Sequence, residues 1–185
     1  MHSYASGVIQ KITRAIETQE GKLEQIAKRL AASVEHGGVL HVFGSGHSHM
    51  IAEEIFYRAG GPVFVSPILD PGLMLHGGVK KSTRLERLPG YAKAILEDVD
   101  FCEHDIFLVI SNSGRNIVPV EAAYYVKEKG LFTVSISSFA HSESVHSRHP
   151  SGKKLFEITD VALDNCGEVG DAQLEIEGLD ERYGA

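Results

Sequence analysis

Apolar residues recur along the chain in two periods, and the switches between them predict the elements. Over residues 3–35, Val8, Ile12, Ala15, Ile16, Leu23, Ile26, Ala27, Leu30 and Val34 return every three or four positions. That spacing predicts helix, bent or broken near Gly21 and stopped by His36-Gly37-Gly38. Short continuous apolar runs follow, of the kind buried on both faces of a sheet: 39–43, 63–65, 106–110, 131–136 and 161–163. Between them, 48–59 predicts a helix with Ile51, Ala52, Ile55, Phe56 and Ala59 on one face. Residues 89–97, opened by Pro89, predict a short helix, and 117–129 a longer one closed by Gly130. Residues 67–88 and 137–154 show no clear period and read as loops. A long loop inside a compact α/β unit is often functional.

Strands alternating with helices predict an α/β fold. The expected form is a doubly wound five-stranded parallel sheet, flavodoxin-like, flanked by helices and preceded by a helical segment over 1–37. At 185 residues, one domain over 1–185 is expected, and the N-terminal helices are as suited to a subunit contact as to packing on their own sheet.

Charge narrows the partners. The net charge is -7, and the one basic cluster, Lys80, Lys81, Arg84 and Arg87, also holds Glu86. A nucleic-acid binder carries a basic stripe, so no nucleic acid is expected. Cys102 and Cys166 form no CxxC pair, which argues against a structural zinc site and for a reducing compartment. No apolar run reaches membrane-spanning length and no leader pattern opens the chain. A cytoplasmic protein without membrane contact is expected.

The chemistry gathers in two loops, each leaving a buried strand and opening a helix. The first is Gly44-Ser45-Gly46-His47-Ser48; the second is Ser111-Asn112-Ser113-Gly114-Arg115-Asn116. Such turns lie at the carboxyl ends of parallel strands, where ligands bind. Backbone N–H groups at a helix start favour an anion, and hydroxyls add donors without charge. Helix capping by Ser48 and Asn116 explains one residue per loop. It leaves Ser45, Ser111 and Ser113 unexplained, and two such loops side by side suit one phosphate. A dinucleotide fingerprint is broken at His49, and neither a Walker A motif nor a Gly-x-Ser-x-Gly elbow occurs.

Ser-x-Ser-Gly-x-x after a strand, with Gly-x-Gly-x-Ser after an earlier one, resembles the phosphate-binding signature of the SIS (sugar isomerase) family over roughly residues 5–178. Within it the chain looks most like uncharacterised bacterial members grouped with phosphoheptose isomerases. The resemblance implies a phosphosugar ligand, a homodimer or homotetramer, and phosphate contacts from Ser48, Ser111, Ser113 and Asn116. Many members carry Thr where Asn116 stands, and Asn also donates. The family usually continues into a final helix, which this sequence, read to Ala185, is expected to lack.

Aldose–ketose isomerisation needs a carboxylate that moves a proton between adjacent carbons, often with a His for ring opening. The candidates are Glu86 in the long loop and Glu53 or, more definitely, Glu54 after the first loop. Each also has an ordinary reading, as a surface salt bridge of Glu86 with its Arg neighbours or an i,i+4 pair of Glu54 with Arg58. His47 is the candidate acid, His76 a weaker one, and Lys80, Lys81 or Arg84 could steady the enediolate. His47 and His49 lack a clear third metal ligand, so neither a metal nor a cofactor is expected. The function read from the sequence is an enediol-forming sugar-phosphate isomerase. The alternatives are a non-catalytic phosphosugar sensor and an amino-sugar-phosphate lyase or etherase.

Overall fold

The computed structural model describes residues 2–184. Its elements run α1 (His2–Glu17), α2 (Glu20–Glu35), β1 (Leu40–Gly44), α3 (His49–Ile55), β2 (Val65–Ile68), α4 (Val79–Leu85), α5 (Tyr91–Leu96), β3 (Ile106–Ile110), α6 (Ile117–Glu128), β4 (Phe132–Ser137), α7 (Phe139–Ser144) and β5 (Val161–Asp164). All five strands are parallel, in the order β2-β1-β3-β4-β5. This is the expected doubly wound arrangement. Its winding reverses between β1 and β3, where such sheets open a crevice at their carboxyl ends.

The apolar runs are strands because both their faces are covered. On one side Phe43, Phe107 and Val109 pack with Ala92 and Leu96 of α5 and with Val118, Ala122 and Val126 of α6. On the other, Val42, Val65 and Ile110 pack with Ala52 and Ile55 of α3. Burying a side chain of this size contributes about 1.5–3 kcal/mol, which is why alternate residues of one run commit to opposite layers. Among the described residues no helix is long and apolar enough to cross a membrane.

The helical segment is a hairpin, but it bends at Thr18-Gln19, and Gly21 lies inside the first turn of α2. Side chains make the bend: Thr18 Oγ1 donates to the Arg14 carbonyl (2.7 Å) and Gln19 Nε2 to that of Ala15 (2.9 Å). Gln19 then docks on edge strand β5, giving Nε2–H to the Asp164 carbonyl and taking the Asp164 N–H, both at 2.7 Å. It thereby satisfies part of an open sheet edge.

Several elements differ from the sequence reading. α5 begins at Tyr91, after Gly90 at φ +79°, so Pro89 does not open it. α3 stops at Ile55, so Phe56 and Ala59 lie outside it; Tyr57 takes φ +53° and Gly61 N–H closes a turn on the Arg58 carbonyl. Aromatic residues followed by Gly60-Gly61-Pro62 are poor helix formers. β2 begins at Val65 rather than 63, since pairing with β1 sets its register at Leu40–Val65. α4 and α7 arise in segments read as loops, since mostly polar stretches of seven and six residues show no apolar period. Residues 165–184 contain no α-helix; Leu174 and Tyr183 form an isolated antiparallel bridge there.

Candidate functional site

Register brings the two serine loops together. Gly44 pairs with Ile110 at the ends of β1 and β3, so both loops leave the same point of the sheet. The first turns sharply. A Cβ on Gly44 would stand 2.7 Å from the Ser48 carbonyl group and 2.9 Å from His49 N. Only glycine admits that approach of backbone to backbone. Gly46 takes φ +60° and its N–H donates to the Leu73 carbonyl at 2.9 Å. Ser45 is buried, Ser48 half-buried and His47 exposed at the tip.

In the second loop, buried Ser111 accepts the Gly114 N–H on its Oγ at 3.2 Å. Gly114 sits at φ +57°, and a Cβ there would meet the Ser137 and Ser142 hydroxyls and Leu155 Cβ at 3.2–3.3 Å. Asn112 is held from the far side by Asn165 and Asp171. Asn116 occupies the N-cap position of α6 in extended backbone but makes no side-chain cap; its Oδ1 accepts from Arg148. Ser48 likewise makes no cap bond to α3. The capping explanation of these two residues therefore fails. The hydroxyls of Ser48 and Ser113 and the imidazole of His47 have no partner among the described residues.

Glu86 joins the two loops. Ser45 Oγ donates to Glu86 Oε2 at 3.1 Å, and the Glu86 carbonyl accepts the N–H of Val118, in the first turn of α6, at 3.1 Å. The carboxylate is thus held at the β1 exit and the main chain of Glu86 at the β3 exit, at the C-terminal end of α4, an element absent from the sequence reading. Glu54 goes elsewhere. It lies exposed on α3, ion-paired with Arg58, so the ordinary reading describes it. Lys80, Lys81 and Arg84 are exposed along α4.

Two arginines join this site, Arg115 within the second loop and Arg148 beside it. Arg148 N–H donates to the Arg115 carbonyl at 2.8 Å and Leu155 N–H to that of Gly114 at 2.9 Å. These bonds fold the segment after α7 back over the loop. Burial, then the positive charges of Arg115 and Arg87, push the Arg148 guanidinium below its ordinary value, while Glu86 acts the other way. An arginine remains charged regardless. Arg115 Nε is buried without a hydrogen-bond partner. Hydroxyls, a carboxylate and clustered guanidinium groups thus share one crevice, a composition suited to an oxyanion beside a proton-transfer group. Arg115 is legible in the sequence as part of the second loop. Arg148 carries no local signal, since it arrives through a crossover.

A cleft at the opposite end of the sheet is lined by Arg29, Ser33, His36, Asp105, Lys127 and Asp160. Its acids already have partners in Lys127 and His41.

A family model described as SIS domain matches residues 3–138. The chain belongs to the SIS domain family. A UPF0309 protein of Halalkalibacterium halodurans is 48% identical over 169 residues, covering 91% of this chain and 70% of that relative. Two solved structures share the fold at low identity. One is the phosphoheptose isomerase GmhA of Neisseria gonorrhoeae, with TM-score 0.62 and 15% identity over 88% of this chain and 83% of that one. The other is an E. coli CFT073 protein in complex with A5P, with TM-score 0.54 and 18% identity over 95% of this chain and 74% of that one. The SIS membership agrees with the resemblance read from the two loops.

Proposed function

We propose that the protein, acting as one SIS unit, binds a sugar phosphate where β1 and β3 end and isomerises it between aldose and ketose through an enediol. The observation that carries this reading is the Ser45–Glu86 hydrogen bond, which sets a carboxylate between two hydroxyl-bearing loops. Family membership and the neighbours' printed ligand and activity support the phosphosugar.

In this reading Ser48, Ser111, Ser113 and Asn116 hold the phosphate, with Ser45 orienting Glu86 and bordering the phosphate. Arg115 and Arg148 supply positive charge for it. Glu86 takes the proton from the carbon next to the carbonyl and returns it to the former carbonyl carbon. His47 provides the acid that opens the sugar ring. The scheme uses no cofactor, and a cytoplasmic setting accords with it.

The first test is thermal melting against hexose, heptose and amino-sugar phosphates, with the free sugars and inorganic phosphate as controls. A ligand bound only by the folded chain raises the Tm. One phosphosugar is expected to raise it where its unphosphorylated form does not. A hydrogen bond to a charged group contributes about 1.5–3 kcal/mol, so Ser113→Ala should weaken that ligand by about 10-fold or more. Unchanged affinity in Ser113→Ala would remove the second loop from the site.

The same reading includes a homo-oligomer. Ile9, Ile12 and Ile16 form an exposed stripe on α1, 55–64% accessible in the single chain. Apolar stripes of this kind mark contact surfaces. Light scattering should give a dimer or tetramer for the native chain and a monomer for Ile12→Lys with Ile16→Lys. A native monomer at micromolar concentration would exclude the contact.

A further inference from the structure

With the phosphate placed as proposed above, we infer that Arg148 is a positioning residue for it: the guanidinium holds the Asn116 amide by its oxygen, so that the amide NH₂ is turned to the anion.

Asn116 stands where a helix cap is expected, and its neighbours relieve it of that task. An N-cap asparagine turns its oxygen to the N–H of the second or third helical residue. In α6 those residues are Val118 and Pro119. The Val118 N–H already donates to the Glu86 carbonyl at 3.1 Å, and proline has no N–H. The backbone at Asn116 is extended, φ −74° and ψ 153°, as a cap requires, yet its side chain makes no cap bond. The residue is nevertheless 8% exposed, and a buried amide needs partners.

Arg148 is one partner, and its chemistry fixes which end of the amide it takes. A guanidinium carries only donors, whereas an amide has an acceptor end and a donor end. Arg148 Nη1 donates to Asn116 Oδ1. Asn116 Nδ2 is left without a partner among the described residues. A phosphate dianion offers only acceptors, so an amide free to turn would meet it with either end. Held by its oxygen, Asn116 presents both N–H groups of Nδ2. A serine hydroxyl such as that of Ser113 needs no such device, because it rotates its proton to suit.

The holder is itself fixed. The Arg148 N–H donates to the carbonyl of Arg115, the residue before Asn116, at 2.8 Å. Ser147 closes the turn around it: its Oγ donates to the Lys153 carbonyl at 2.7 Å and accepts the His149 N–H at 3.1 Å. The planar fork spends one nitrogen on Asn116, and its other N–H groups remain for the charge it contributes to the phosphate.

The test is a double-mutant cycle in the full chain, with inorganic phosphate as the probe and Kd read by ¹⁵N NMR at fixed ionic strength. Asn116→Thr substitutes a hydroxyl that aims its own proton, so it should bind phosphate without being held. Arg148→Met removes the donors and keeps an unbranched stem. It should weaken phosphate by about 20-fold in the native background and by about 2-fold beside Asn116→Thr, the remainder being lost charge; residues in contact couple on this scale. Equal losses in the two backgrounds would overturn the positioning role while leaving phosphate at the loops. A native chain that binds no phosphate, or binds it equally well as Ser113→Ala, would overturn the phosphate site and the positioning role together. The native chain supplies a second readout. Its Asn116 side-chain NH₂ signals, identified by their absence in Asn116→Thr, should move downfield as phosphate is added. Signals that stay in place while phosphate binds would show that the NH₂ does not face the anion, and Arg148 would then position nothing.

Discussion

Glu86→Gln is expected to lower turnover of the accepted sugar phosphate by about 10²–10⁴-fold while its Kd stays within a few-fold. The substitution keeps the shape and one carbonyl acceptor, so Ser45 Oγ retains its partner and the backbone bond to Val118 is untouched. What is lost is the ability to take up a proton. The expected result is therefore a fall in kcat without a matching fall in affinity, the signature of an interaction that matters in the transition state. Glu54→Gln is the comparison. Its carboxylate is exposed and paired only with Arg58, and exposed pairs contribute less than about 1 kcal/mol, so both parameters should stay near native. If Glu86→Gln turns over normally, or Glu54→Gln is the slow variant, the assignment of the base is wrong. A chain that binds the sugar phosphate and turns none over would act as a sensor.

Asp105→Ala is expected to cost about 3–5 kcal/mol of stability, the range seen when one partner of a buried pair is removed. Asp105 lies at the foot of β3. Its Oδ1 accepts the Val39 N–H at 2.8 Å, and its Oδ2 accepts the Cys102 N–H at 2.8 Å and faces His41 Nε2 at 2.9 Å. Truncation leaves two part-buried N–H groups and the buried His41 imidazole without an acceptor. Because Val39 leads into β1 and its carbonyl accepts from Ile106 at the start of β3, the loss also loosens the β1–β3 register that aligns the two serine loops.

The acid dependence follows from the same contacts. Burial raises the Asp105 carboxyl pKa, but the Cys102 and Val39 N–H groups and His41 outweigh it and hold the folded value below the ordinary 3.8. A carboxylate depressed in the folded state contributes stability fully present above its unfolded value. That contribution is lost as the pH falls through the folded one. The native chain should therefore lose stability below about pH 4 more steeply than Asp105→Asn. Equal slopes in chemical denaturation between pH 2 and 5 would exclude Asp105 as the source.

Most strands, the longer helices and the two loops were legible along the chain for one reason. A run such as Ile106–Ile110, apolar at every position, is stable only when covered on both faces, and that demand is written locally. Gly44 and Gly114 were legible as loop residues for a similar reason, since sharp turns select glycine. The short helices α4 and α7 were not, because their sequences hold few apolar residues, where α3 and α5, equally short, are rich in them. Glu86 and Glu54 looked alike as candidates. What sets them apart in the fold is a contact spanning 41 residues, Ser45 with Glu86, as the crossover after β2 lays α4 across the ends of β1 and β3. Arg148 reached Asn116 across 32 residues. Periodicity and loop chemistry follow from the order of residues alone. Which acid faces the crevice, which cations surround it and which distant side chains converge depend on how the crossovers close, and only the folded sheet decides that.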